Sequence, residues 1–522
     1  MKRDFSQLQN QNFDLLVCGG GIYGAWTAYD AALRGLKVAL IDQGDWASAA
    51  SSASSNLIHG GLRYLEAYDF KLVKKALTER ERLLRLAPHR VWPLRFGVPI
   101  YTDTRVGTLK LKAGLTLYDL IAGRLFSDSS HHHFNRDTFA AHFPFLATRH
   151  LKSGFTYADA QTDDARLVLE LVAGAQHAGA VCVNYCKLTD WIKTDAKVCG
   201  AHVEDCESGA FSEVTARQIA NTIGQWATTT TQGDAWCRLA KGIHLVLPGT
   251  GIDEALLLTA KQDGRVFFIL PWYGRTLLGT TDTDYRGDIN KLRVEEQEIT
   301  YLLDAAKPYL RSAWTRADVI GSYAGVRVLK KTDVSDPSSA SRDWELKTSP
   351  DGVHHSIGGK LTSAREDARL IVDAICSQLG HPSRCQTEQR PFPWAPQDYI
   401  TWSARMLSRA AQLGIDTESA RCLLRCYGKL SVELLHMIEN NSALALRIVP
   451  DVPLIHADLH WSARHEMVVH LDDLLRRRLP LLILARFDEN RLRSLSASLA
   501  PVLGWDVVTQ QREITRCLNT PP

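Results

Sequence analysis

The chain lacks a paired-cysteine pattern: its 11 cysteines are odd in number and nowhere form a CxxC. That argues against a disulfide framework or a zinc ribbon and predicts a reducing compartment, the cytoplasm. No run reaches the ~18 apolar residues that a spanning helix needs. The opening MKRDFSQLQNQN has no apolar stretch of the kind found in signal peptides. An intracellular protein that does not cross a membrane is therefore expected. An excess of one charge sign is missing too. Lys plus Arg number 61 against 58 Asp plus Glu, a balance of +3, which gives no global signal for nucleic acid. Low-complexity tracts and internal repeats are also lacking. What remains is ordinary globular composition, 45% hydrophobic and 23% charged. At 522 residues the length suggests about three folding units.

The most informative segment comes first. FDLLVC (13–18) is an apolar run of strand length, followed at once by Gly19-Gly20-Gly21-Ile22-Tyr23-Gly24. Helical spacing then sets Ala25, Ala28, Ala32 and Leu33 on one face, Gly35 stops the helix, and 37–41 reads as a second buried strand ending at Asp42. This is a βαβ unit with G-x-G-x-x-G at Gly19, Gly21 and Gly24 and an acid where a ribose would need an acceptor. The glycines serve the tight turn, the approach of backbone amides to a pyrophosphate, and close helix–strand packing. An acid at 42 disfavours a 2′-phosphate, so NAD or FAD is preferred over NADP. The following loop, QGDWASAASSASSNLIHGGLRYLE, is rich in small hydroxylated residues that could wrap a cofactor closely. It ends in a dense cluster of His59, Arg63, Tyr64 and Glu66, unlike a plain flexible linker.

SSASSNLIHGGLRYLE resembles the flavin-proximal segment of the aerobic FAD-dependent glycerol-3-phosphate dehydrogenases, within the D-amino-acid-oxidase-like flavoproteins. The likeness continues through GFTYADAQTDDARLVLELV (154–172), LPW…LLGTTDTDY (270–285), YAGVRVL (323–329), SRDWEL (341–346), IGGKLTSAR (357–365) and HEMVVHLDDLLRRR (465–478). It implies an α/β architecture: a Rossmann-like FAD-binding domain, a sheet-rich cap domain and an all-α C-terminal domain. By analogy the chain divides into 1–90, 150–235 and 320–388 for FAD, 91–149 and 236–319 for the cap, and 389–522 for the helical part. QRPFPWAP (389–396) marks that last boundary with three prolines. Beyond it, apolar residues recur at three and four in ARMLSRAAQLG, SARCLLRCYG and ARHEMVVHLDDLLRRRL. Several positions depart from the family. Ile223 and Gln225 occupy a turn usually read NATGPW, Val328 replaces a proline, Ser363-Ala364 replaces Thr-Tyr, and Asn56 stands where lysine is common.

The resemblance implies oxidation of sn-glycerol 3-phosphate to dihydroxyacetone phosphate in glycerol and glycerophospholipid catabolism, with electrons passing to a membrane quinone. On the matching positions it places FAD against Gly19, Gly21, Ile22, Gly24 and Asp42, against Ser51, Ser52, Ser55 and Leu57, and against Gly359, Lys360, Leu361 and Thr362. A phosphate dianion needs cations, and Arg63, Arg327, Arg342 and Lys360 supply them, with Tyr64 as a hydroxyl donor. Arg327 is also counted among the catalytic residues. The proton acceptor is a histidine, His59 or His244, which sequence alone does not separate. An FAD oxidase of another small alcohol or amine is the alternative enzyme. A catalytically silent flavin-binding regulator is the alternative outside enzymes, motivated by Ile223, Gln225 and Val328.

Other constellations read as structural. His465 and His470 lie five apart, about 140° around a helix, too far round to share a metal. A structural helix is expected there and no metal site. His131-His132-His133 reads as a polar loop, and Cys182/Cys186 and Cys422/Cys426 as buried small hydrophobes. Residues 61–124 hold thirteen Lys and Arg against six acids. Within them Leu109, Leu111, Leu115, Leu117 and Leu120 lie among Arg105, Lys110, Lys112 and Arg124. That combination suits peripheral attachment to an anionic surface, the inner membrane on its cytoplasmic side. An amphipathic cap segment facing the core is the competing reading, and the oligomeric state, a homodimer included, stays open.

Overall fold

A strand as apolar as FDLLVC needs cover on both faces, which a parallel sheet between helices provides. In the computed structural model, which describes residues 1–66, 68–124, 127, 129–229, 236–331 and 343–519, β1 (Asn12–Cys18) is central to its sheet. It pairs in parallel with β2 (Val38–Ile41) on one side and with Phe211–Asn221 on the other. The connecting helix α1 (Ile22–Leu33) is buried almost all round. Its alanines allow close approach to helices Asp164–His177 and Ala364–Leu379. The full order is Trp344–Thr348, Val353–Gly358, Phe211–Asn221, β1, β2, Val181–Val183, with Lys197–Asp205 and Cys186–Thr194 added antiparallel at Phe211–Asn221.

Among the described residues a second sheet of ten strands, mostly antiparallel, forms the other layer. HLVLP falls in its strand Cys237–Pro248, RVFFILPW in Val266–Trp272 apart from Arg265, and TLLG of TLLGTTD in Arg275–Gly279, the remaining TTD lying beyond the strand end. Leu151–Thr162 and Gly321–Lys330 also pair within it, although the sequence division groups their stretches with the cofactor segments. The Ser-rich loop ends by joining this sheet as Leu57–Ile58, opposite Gln161 and Ala160. The chain thus crosses between layers just before His59.

Helices Tyr399–Gln412, Thr417–Tyr427, Ser431–Asn440, His456–His465, Glu489–Leu503 and Val507–Asn519 make up the C-terminal region. Among the described residues no helix is long and apolar enough to cross a membrane, and no cluster of three metal-ligating side chains occurs.

Two expectations are corrected. The stretch 465–470 is not helical: the helix ends at His465, Met467 takes a left-handed φ of 53°, and helical structure resumes at 471. Buried charges explain the break. Glu466 turns inward to Arg166 Nη1 at 2.5 Å, and His470 is held between Glu207 and Glu513. Likewise His132 and His133 are in a short strand, His132–Asn135, on Leu151–Thr162 rather than in a loop. Ring contact of His133 with Phe155, centroids 4.6 Å apart, supports that pairing. Cys182, Cys186, Cys422 and Cys426 are buried free thiols.

Candidate active site

A cavity of about 870 Å³ runs between the two sheets, from the glycine turn to the second sheet. At one end Gly19, Gly21 and Ile22 line it, with Asp42 at the tip of β2. Gly24 lies behind this surface. A Cβ there would stand 1.8 Å from Gly19 O, so the crossing of α1 over β1 requires glycine. Ser51 Oγ accepts from Ile22 N at 3.0 Å and holds the loop against the first turn of α1. Ser52 donates to Ala49 O at 3.4 Å and is not part of the cavity wall. Cys186, Leu188 and Trp191 complete a mostly apolar slot beside Asp42.

The Asp42 carboxylate accepts from Gly20 N at 2.6 Å and from Gly44 N at 2.8 Å. Burial nevertheless pushes its pKa up to about 6. Only the ionised form has full acceptor capacity for two ribose hydroxyls. Dinucleotide binding should therefore release a proton from any protein that still carries one. The affinity of the cofactor-stripped protein for FAD is expected to be flat above pH 7. Below about pH 6 it should weaken by as much as roughly tenfold per unit. Flavin fluorescence titrations between pH 5 and 8 read this directly; a flat profile down to pH 5 rules it out, and Asp42→Asn should remove the dependence.

Toward the other end the wall holds Ser55, Leu57, His59, Tyr64, Arg327, Gly359, Lys360, Leu361 and Thr362. His59 N donates to Thr362 Oγ1 at 3.1 Å, tying the two motifs together, and its ring meets Phe268 edge-on. Gly359 has φ 97°, and a Cβ there would lie 1.7 Å from Tyr23 Oη, so the backbone of the GGK turn packs directly on Tyr23. Lys360 Nζ stands over the Tyr64 ring, 3.4 Å from its centroid. Arg327 donates to Asp282 Oδ1 at 3.0 Å and Thr280 Oγ1 at 2.8 Å.

His244 is placed differently from His59. It is buried behind the wall, bonded through Nε2 to Ser55 Oγ at 2.8 Å and stacked on Tyr323. Burial, reinforced by the Arg327 charge, lowers its pKa to about 3. Arg63 begins a short helix, Arg63–Glu66; its side chain, like all of Arg342, lies outside the described residues. Arg265, which the motif reading passed over, also lines the cavity and donates to Asp282 O at 2.8 Å. Its signal was a lone cation opening the apolar strand segment VFFILPW, a position where a surface charge is the commoner explanation.

The unusual residues have definite places. Ile223, Gln225 and Val328 all line the cavity. Asn56 has φ 56°, a conformation asparagine tolerates better than lysine, and its Oδ1 accepts from Asp164 N at 3.0 Å.

A two-sided cavity with a glycine turn, a carboxylate at the second strand tip and a cationic far end fits a dinucleotide joined to a redox ring. The FAD dependent oxidoreductase family model matches residues 14–365, and that for the C-terminal domain of alpha-glycerophosphate oxidase matches 385–510. The chain is thus an FAD-dependent oxidoreductase, with FAD as its cofactor. A glycerol-3-phosphate dehydrogenase from Synechocystis sp. is 35% identical, over 96% of this chain and 95% of its own. The aerobic glycerol-3-phosphate dehydrogenase of Escherichia coli is 33% identical, over 89% of this chain and 93% of its own. The structure of glycerol-3-phosphate dehydrogenase from Bacillus halodurans, complexed with FAD, aligns with TM-score 0.79 at 27% identity, covering 98% of this chain and 95% of that one. The chain belongs to the glycerol-3-phosphate dehydrogenase family.

Proposed function

We propose that this protein oxidises sn-glycerol 3-phosphate to dihydroxyacetone phosphate and delivers the electrons to a quinone at the cytoplasmic face of the inner membrane. The observation that carries the reading is three cations in the wall of the cavity that also holds His59. Arg327 and Arg265 are both bonded to Asp282, and Lys360, over Tyr64, belongs to the turn whose Thr362 accepts from His59 N. Bound FAD supplies the hydride acceptor. The cations hold the phosphate, and Arg327 does so with a planar fork already oriented by Asp282 and Thr280. Tyr64 adds a hydroxyl and is itself steadied under Lys360. His59 takes the proton of the C2 hydroxyl. His244 is the poorer base, because a group held near pKa 3 has little affinity for a proton; we assign it to fixing Ser55.

An anaerobic titration tests the reaction. Flavin absorption should bleach on adding glycerol 3-phosphate and recover with a quinone analogue. Bands that never bleach would favour a silent flavoprotein, and bleaching by other small alcohols or amines alone would redirect the substrate.

For the membrane contact we propose the helix Thr108–Ile121. Leu115 faces the core, whereas Leu109 is 83% and Leu120 59% exposed, with Leu117, Lys110 and Lys112 also outward. Cations beside outward leucines suit the headgroup zone of an anionic bilayer. At about 1 kcal/mol per basic residue, reversing Lys110 and Lys112 to glutamate should weaken co-sedimentation with anionic liposomes by roughly 30-fold or more. Turnover with a soluble dye should stay unchanged. Wild-type protein that ignores such liposomes at low salt would leave a soluble acceptor as the better reading.

A further inference from the structure

We propose that the C-terminal helical region positions FAD, with Arg477 and Arg478 acting through Asp45 as positioning residues for the adenosine half of the site. This inference rests on the cofactor and is independent of the substrate reading.

The loop after β2 and the glycine turn are one mechanical unit. Asp42 accepts from Gly20 N, Ala47 N donates to Gly20 O at 3.1 Å, and the buried Trp46 ring lies under Gly20. A Cβ on Gly20 would meet that ring at 2.3 Å. Whatever holds residues 42–47 therefore holds the surface on which the ribose and pyrophosphate rest.

Segment 184–186 holds part of this loop, Tyr185 N donating to Gly44 O at 2.9 Å and Asn184 Nδ2 to Asp45 Oδ1 at 3.1 Å. The charged clamp on Asp45 comes from more than 400 residues away in sequence. Asp45, only 1% exposed, is absent from the cavity wall. It accepts from Arg477 Nε at 2.6 Å, from Arg478 Nη2 at 2.9 Å and also from Arg478 Nη1. Trp46 Nε1 donates to Met467 Sδ at 3.2 Å. The arginines lie in a π-helical turn, Asp473–Arg478, a wider winding often found at functional positions. They are themselves anchored. Arg478 Nη2 donates to Glu466 O at 2.8 Å, and Arg477 Nη2 donates to Asp473 Oδ1, which also accepts from Tyr185 Oη at 2.6 Å. The break at 465–470 is part of the same arrangement, since it aims the carbonyls of Glu466 and Met467 at Arg478.

Burial alone would raise Asp45, yet the Arg478 and Arg477 charges hold it below the usual carboxylate range. Buried ion pairs of this kind contribute little net stability relative to well-packed apolar residues. Their distinct effect is to fix direction. Here the fork of Arg478 and the Nε of Arg477 lock one carboxylate three residues from the ribose acceptor.

The test uses full-length protein stripped of FAD by mild denaturant and then refolded. In the double variant D45N/R478M one buried charge of each sign is removed, so no unpaired ion is left. Fluorescence titration should show dissociation constants for FAD and for ADP, the adenosine-side probe, raised together by 10- to 100-fold. With saturating FAD, the KM for glycerol 3-phosphate should move less than twofold. A merely structural role would lower the melting temperature of the stripped protein and leave both dissociation constants within twofold of wild type, which would overturn the proposal. If the double variant does not refold, Arg478→Lys keeps the charge and loses the fork. An FAD dissociation constant for that variant within twofold of wild type would equally overturn it, and a rise shared by ADP would support it.

Discussion

Arg327→Ala is expected to raise the KM for glycerol 3-phosphate by roughly 300-fold while flavin content stays at the wild-type value. Truncating one partner of a desolvated charge pair costs about 2–5 kcal/mol, and each 1.4 kcal/mol is a factor of ten. Two features of the site place the loss near the middle of that range. The guanidinium is held by Asp282 and Thr280 before substrate arrives, so little ordering cost offsets the lost contact. Its removal also leaves the Asp282 carboxylate facing the phosphate. Arg265 and Lys360 remain in the wall and limit the damage. Because phosphate is bound equally in ground and transition states, kcat should change only a few-fold. Arg327→Lys keeps the charge without the fork and should fall between wild type and alanine. Steady-state kinetics with a dye acceptor, alongside the flavin-to-protein absorbance ratio, gives both numbers. An unchanged KM removes Arg327 from the phosphate site.

The dinucleotide end was legible because its chemistry is local. Gly19, Gly21, Gly24 and Asp42 are joined by one turn, one helix and one strand, so spacing carries nearly all the geometry. Gly359–Thr362 and His59 meet only through the packing of distant segments, and a resemblance was needed to group them. The two histidines show where spacing stops. His59 lies in the segment that resembles the family and His244 opens the strand segment HLVLP, but which one reaches the cavity depends on how Leu57–Ile58 and Cys237–Pro248 are placed in the second sheet. Arg265 was hidden for the opposite reason: nothing local distinguishes it from a solvated charge until Asp282 is brought beside it. Period counting failed at 465–470, where the pull of Arg166 on buried Glu466 outweighs helix propensity. It half succeeded in Thr108–Ile121. The helix is real, but its leucines divide between core and surface, and only burial shows which are which.

Gly24→Ala should abolish FAD binding, leaving purified protein with under about a tenth of the wild-type flavin. The added methyl would sit 1.8 Å from Gly19 O and 2.7 Å from Thr222 Oγ1. Neither neighbour can yield. Gly19 O belongs to the turn itself, and the Thr222 hydroxyl is committed to Cys18 O and Gly19 O, both at 2.9 Å. The first turn of α1 would have to lift off β1, carrying away the backbone amides to which we assign the pyrophosphate. Gly21→Ala is the graded comparison. Its methyl meets only Ser51 Oγ, at 3.1 Å, so the protein should fold normally while the methyl takes space at the turn. A weaker but measurable FAD dissociation constant is expected, roughly 10- to 100-fold above wild type at a cost of about 1–3 kcal/mol. Gly114, on the helix Thr108–Ile121 with nothing within 4 Å of its virtual Cβ, controls for the substitution itself. Gly114→Ala should keep full flavin and add up to about 1 kcal/mol of helix stability. Flavin absorbance ratios and thermal melts of the three variants order them Gly114, Gly21, Gly24 from mildest to most severe. Stoichiometric flavin in Gly24→Ala, with a wild-type dissociation constant, would mean that the pyrophosphate does not rest on the Gly19–Gly24 turn.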